Sequence, residues 1–166
     1  MAVKLIPSDD LRLRTRAMPI DRVRGGARKT FDQMIDCMDA NSGVGLSAPQ
    51  IGLMLRLVVM RAPRIVCMAD PVIISASANF DVGEEGCLSF PGARVAVRRH
   101  ARVTVRYRDY HNETRVADLY GLEAICAQHE IDHLDGVLFF TRAYQDGVLN
   151  AGEEQVRSER SERANT

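Results

Sequence analysis

Gln128-His129-Glu130-Ile131-Asp132-His133-Leu134-Asp135-Gly136 is the stretch around which the chain is organised. Read as helix, the four-residue spacing of His129 and His133 stacks both imidazoles on one face, one turn apart, where they can grip a single metal ion. Glu130 then flanks the ion without ligating it. A carboxylate so placed can take a proton from metal-activated water, which is hydrolytic chemistry. Working outward toward the N-terminus, Gly121 opens the helix, and Leu122, Ile125, Cys126, His129 and His133 fall on one stripe. The stripe turns the imidazoles toward the core, so the pattern predicts a metal site walled by apolar side chains.

A catalytic metal normally has three protein ligands and one open position, so a third donor is expected. Cys126 shares the stripe but stands seven residues before His133. That is about 10 Å along the axis, out of reach of an ion held between the histidines. Cys87 lies in Gly83-Glu84-Glu85-Gly86-Cys87-Leu88-Ser89-Phe90-Pro91, a small-residue stretch that reads as a loop able to present a thiolate. Cys87 is therefore the expected third ligand. With Cys37 and Cys67 the chain has four separated cysteines and no CxxC pair, which indicates neither a disulfide framework nor a zinc finger. A zinc endopeptidase would share the histidine motif, but its further ligand normally follows downstream. No histidine follows His133, Asp135 abuts the motif, and Asp146 falls in an expected loop. A structural metal module would need four protein ligands and no base.

Further upstream, Ala27, Phe31, Met34, Ile35 and Met38 recur at helical spacing, predicting a helix over 26–40 that stops at Asn41-Ser42-Gly43. Segments 57–60, 65–68 and 72–74 read as three strands, the last set off by Asp70-Pro71. Alternation at Val95 and Val97, then Val103, Val105 and Tyr107, predicts half-buried antiparallel strands, with a turn over 109–113 before Val116 and Leu119. A chain of 166 residues that is 46% hydrophobic and 27% charged supports one core, hence one domain. The catalytic domain is expected over 1–151, with 152–166 as a charged, frayed or solvated tail. Twenty-two basic and 22 acidic residues leave no net field to draw in nucleic acid or an anionic membrane. No apolar run approaches the roughly 20 residues that span a bilayer. The opening Met1-Ala2-Val3-Lys4-Leu5-Ile6-Pro7 lacks a signal-peptide core, so a cytoplasmic location is expected.

Taken together, Gly43-Val44-Gly45-Leu46-Ser47-Ala48-Pro49-Gln50, Glu85-Gly86-Cys87-Leu88-Ser89 and the histidine stretch resemble the three signature motifs of the peptide deformylase family, in that family's order. The resemblance covers 11–141 and is thin over 152–166. It implies removal of the formyl group from N-terminal formylmethionine of nascent chains, with release of formate. It also implies an α+β fold in which antiparallel β-sheets pack around a central metal-binding helix in a single domain.

One divalent ion is implied, ferrous iron in the cell, with zinc, nickel or cobalt as substitutes, held by Cys87, His129 and His133. By the same resemblance Glu130 is the general base, and the Gln50 side-chain amide and the Leu88 backbone N–H are donors to the oxyanion. Val44, Leu122, Ile125 and Cys126 line a methionine pocket. Gly45, paired with Gly43, lets the substrate backbone lie close as an added strand. Arg94 holds the substrate peptide, and Glu85 orients the metal site. The partners implied are formylmethionyl peptides, met at the ribosome by a monomeric enzyme; a deformylase with altered substrate preference is the alternative. Three residues depart from the usual motif. Ser47 stands for alanine, Asp70 for asparagine, and Gly83 for a larger apolar residue, which is expected to widen the methionine pocket.

Overall fold

Leu57, Val58, Val59 and Met60 run consecutively and are all fully buried, as in a strand covered on both faces. The computed structural model describes residues 3–144. In chain order these form α1 (Gly25–Ala40), β1 (Gly45–Ser47), β2 (Leu57–Ala62), β3 (Arg64–Ala76), β4 (Phe80–Cys87), β5 (Phe90–His100), β6 (Arg102–Arg108), β7 (Thr114–Tyr120) and α2 (Gly121–Leu134). One antiparallel sheet has the order β1-β2-β3-β6-β7, and β4 pairs with β5 in a separate hairpin.

Strand β2 explains the layering. Leu57 and Val59 point to one face, where Phe31, Met34 and Met38 of α1 cover them. Val58 and Met60 point to the other, where they meet Ala124, Ala127, Ile131 and Leu134 of α2. Each fully buried side chain of this size contributes roughly 1.5–3 kcal/mol. The far side of α2 faces the hairpin: the Gln128 amide accepts from His100 N–H and donates to His100 C=O, closing the end of β5 onto the helix. The central helix thus lies between sheet and hairpin, in one α+β domain. At its C-terminus Arg56 donates to the Leu134 carbonyl and to Asp135, placing a cation where the helix carbonyls are unsatisfied.

Several expectations change. Segments 65–68 and 72–74 belong to one strand, β3, whose register shifts between Ala69 and Val72. Pro71 is tolerated because it sits in this bulge, and Asp70 takes a φ of 49° there while its carboxylate accepts from the N–H groups of Ile20 and Asp21. The stretch 83–91 is not a loop. Glu85 pairs with Val95 and Cys87 with Phe90, so only Leu88 and Ser89 make the turn. Glycines and glutamates give a weak local strand signal, and pairing with β5 overrides it. The helix 26–40 begins one residue earlier, at Gly25, and it stops at Asn41-Ser42-Gly43 as expected, with Ser42 at a left-handed φ of 54°. The apolar stripe of α2 is two stripes: Ala124, Ala127, Ile131 and Leu134 enter the core, while Leu122 is 84% exposed. The expected tail over 152–166 lies outside the described residues.

Candidate active site

Along α2 the residues Gln128, His129, Glu130, Asp132 and His133 are all buried. Burying such groups is costly unless each finds a partner, so their partners define the site. Cys87, at the end of β4, brings its Sγ to 3.2 Å from His133 Nε2. Ligand atoms of Cys87, His129 and His133 all lie within 4.8 Å of one another. His129 Nδ1 is 2.8 Å from Glu85 Oε2, which leaves its other ring nitrogen for the cluster. One thiol and two imidazoles, with a carboxylate behind one ring, form a donor set that suits a single borderline divalent ion with an open position.

The electrostatics agree with that fit. Burial alone would raise Glu85, but the Arg99 and His129 contacts outweigh it and hold its carboxyl at about 2. Burial would lower His129, yet Cys87 and Glu85 push it up to about 10. Burial and the neighbouring His129 charge push His133 down to about 3. The Glu85 carboxylate behind the ring thus favours a cation at the cluster, which a bound metal ion would supply. Burial pushes Glu130 up to about 7. Its Oε2 is buried with no hydrogen-bond partner among the described residues.

The glycine-rich segment supplies the opposite wall. After β1 the chain turns through a short 3-10 helix, Ala48–Ile51, that carries Gln50 inward to 1% exposure. Gln50 Nε2 donates to Ser89 Oγ at 3.1 Å and lies 3.6 Å from Cys87 Sγ. The glycines answer to the protein's own side chains. A Cβ at Gly45 would stand 2.5 Å from Glu130 Oε1 and 2.7 Å from Cys126 Sγ, and one at Gly43 would stand 2.6 Å from Leu88 Cδ1. A side chain at Gly45 would displace Glu130 and Cys126, and one at Gly43 would displace the end of Leu88.

A cleft of about 790 Å³ opens over these groups, large enough for a small ligand or a peptide end. Cys87, His129, Glu130, Gln50 and Leu88 line its floor side, while His133 is buried outside the lining. Val44, Gly45, Ile125 and Cys126 line it as well, and Leu122, Glu85 and Arg94 complete the expected set. Val44 is 65% exposed, so with Leu122 it presents apolar surface to whatever enters. Arg94 is exposed and its guanidinium lies over Gly86. Gly83 is not part of the lining, and a Cβ there would meet no atom within 4 Å.

Sequence reasoning missed the network beneath the ligands. Arg99 is 4% exposed and bridges Glu85 to Asp132, which also receives Arg142. Asp132 stood inside the quoted motif, one turn after His129, and that position was the available signal. Arg99 offered none, since in an alternating basic strand it reads as surface.

Fold and site together define a metal-dependent hydrolase. Residues 3–147 match the polypeptide deformylase family. The chain is 41% identical over 131 residues to peptide deformylase of Thermotoga neapolitana, covering 78% of this chain and 80% of that protein. Its fold superposes on the crystal structure of peptide deformylase from Thermotoga maritima with a TM-score of 0.85 at 36% identity, covering 87% of this chain and 99% of that one. A Synechococcus elongatus peptide deformylase in complex with actinonin gives a TM-score of 0.83 at 34% identity, covering 87% and 80%. The chain belongs to the polypeptide deformylase family.

Proposed function

We propose that this chain removes the N-formyl group from the N-terminal formylmethionine of nascent polypeptides, releasing formate, with the roles assigned below. The observation that carries the assignment is the convergence of Cys87, His129 and His133, with Cys87 and His129 lining one cleft beside Gln50 and Glu130. Cys87, His129 and His133 would hold one divalent ion, which supplies Lewis-acid polarisation of the formyl carbonyl and activation of water. Ferrous iron is the ion we assign in the cell; the donor set also accommodates zinc, nickel or cobalt.

Glu130 takes a proton from the attacking water, and the remaining hydroxyl bonds to the formyl carbon. The carbonyl oxygen gains negative charge, which the Gln50 amide and the Leu88 backbone N–H stabilise by donation; one such donor is typically worth about 10²–10³ in rate. Glu130 then passes its proton to the amine nitrogen as the C–N bond breaks, leaving a free amino terminus and formic acid, which ionises to formate. A carboxyl poised near 7 can serve in both directions at neutral pH. Val44, Leu122, Ile125 and Cys126 receive the methionine side chain, and Arg94 at the cleft edge steadies the peptide that follows it. Glu85 fixes the orientation of His129. In this reading the enzyme is a cytoplasmic monomer acting where chains leave the ribosome, and among the described residues no helix is long and apolar enough to cross a membrane.

The test is formate release from an N-formyl-Met-Ala peptide by protein reconstituted anaerobically with iron. Turnover with the formylated peptide and none with its unformylated counterpart is expected, and Cys87→Ala should lose tight metal binding. A fully metallated sample that releases no formate would overturn the assignment.

A further inference from the structure

Ser47 ends β1 and is fully buried, as are Gln50 and, to within 3%, Ser89. Its backbone N–H and its hydroxyl both donate to one acceptor, Gln50 Oε1, at 2.8 and 3.0 Å. A glutamine amide has two orientations of nearly equal shape, and only its hydrogen bonds separate them. The backbone N–H rejects the reversed amide, because it would face another donor. The hydroxyl occupies the second lone pair of Oε1 and so fixes the plane of the amide as well as its direction. With Oε1 held, Nε2 is directed at Ser89 Oγ and Cys87 Sγ. One small side chain therefore fixes the amide assigned as oxyanion donor.

We propose that Ser47 is a positioning residue for the hydrolysis: its hydroxyl holds the Gln50 amide with Nε2 facing Cys87. The chemistry invoked rests on the deformylase reading; the hold on Gln50 does not. The role is of the size of one buried neutral hydrogen bond, a factor of roughly 2–12 in rate. It appears in turnover rather than in peptide binding, since the Gln50 donor acts on charge that develops during reaction.

The decisive comparison is Ser47→Thr against Ser47→Val, two side chains of the same shape that differ in the hydroxyl. The threonine variant should keep kcat within twofold of the parent. The valine variant should lose about three- to tenfold in kcat with KM little changed. In a Gln50→Ala background that gap should close, which a packing effect at β1 would not do. A readout independent of activity comes from the side-chain NH₂ signals of Gln50 in metal-free, ¹⁵N-labelled protein. The pair should stay near its parental position with threonine and move with valine. Equal kcat for the two variants, a gap that persists without Gln50, or NH₂ signals indifferent to the hydroxyl would each overturn the proposal. If the added methyl prevents folding, Ser47→Ala, which only removes an atom, carries the test: parental kcat there overturns it. A parent enzyme that releases no formate breaks the deformylase reading instead, and the NH₂ signals still decide whether Ser47 holds Gln50.

Discussion

α1 and α2 cover opposite faces of one sheet, yet they bury different chemistry. On α1 the buried side chains are Phe31, Met34, Cys37 and Met38, while Lys29, Asp32 and Asp36 remain in solvent. On α2 a stripe of alanine, isoleucine and leucine meets the sheet, and the opposite side buries two histidines, two carboxylates and an amide. The first pattern is a stability device, in which apolar area leaves water and nothing polar follows it. The second carries a desolvation cost that only built partners can offset, and here they are Arg99, Arg142, Glu85 and the backbone of His100. A helix that keeps so much polarity in the interior is shaped by the chemistry of its cleft.

That contrast can be broken from either side. Glu130→Ala should lower kcat by about 10²–10⁴ while metal content and melting temperature hold or rise, because the residue removed is a buried carboxylate with an unpartnered oxygen. Formate release beside elemental analysis and a thermal melt checks this; a near-parental rate would end its assignment as the base. Arg99→Met should cost about 3–5 kcal/mol of stability by stranding buried carboxylates. It should also weaken metal binding about 10–100-fold through Glu85 and His129, which denaturant unfolding and a chelator competition would read. Phe31→Ala on the other face should also cost about 3–5 kcal/mol, yet leave kcat/KM per folded molecule as it was. If activity fell with it, the two faces would be coupled.

The smallest effect is one of pH. Glu85 is held at about 2 in the fold against an ordinary 4.5, so it binds its proton more readily when unfolded. Its contribution is complete above the unfolded value and is lost as pH falls toward the folded one. Urea unfolding of metal-free protein between roughly pH 5 and pH 2 should therefore show a steeper loss for the parent than for Arg99→Met. Phe31→Ala should run parallel to the parent through the same range.

Much of this was legible along the chain. Helical spacing placed α1 to within a residue of its start, and the four-residue interval placed the imidazoles of His129 and His133 on one buried side of α2. The bulge at Asp70-Pro71 was not, because a proline reads as a strand end until a neighbour tolerates it. Strand β4 was not, because glycines and glutamates carry little strand signal before β5 pairs with them. Ser47 was visible only as a departure from the usual residue; its two contacts are what give it meaning.

The sequence by itself determined the chemistry available: a thiol, two imidazoles at helical spacing, a carboxylate between them, an amide after paired glycines. Residue type and local period suffice for that, since both are properties of near neighbours in the chain. Tertiary structure alone decided which groups meet. Glu85 reaches His129 across 44 positions and Arg99 reaches Asp132 across 33. A side chain at Gly45 would displace Glu130, far along the chain, which packs against it. Such pairings follow from how the hairpin and the helix stack, and no local pattern records them.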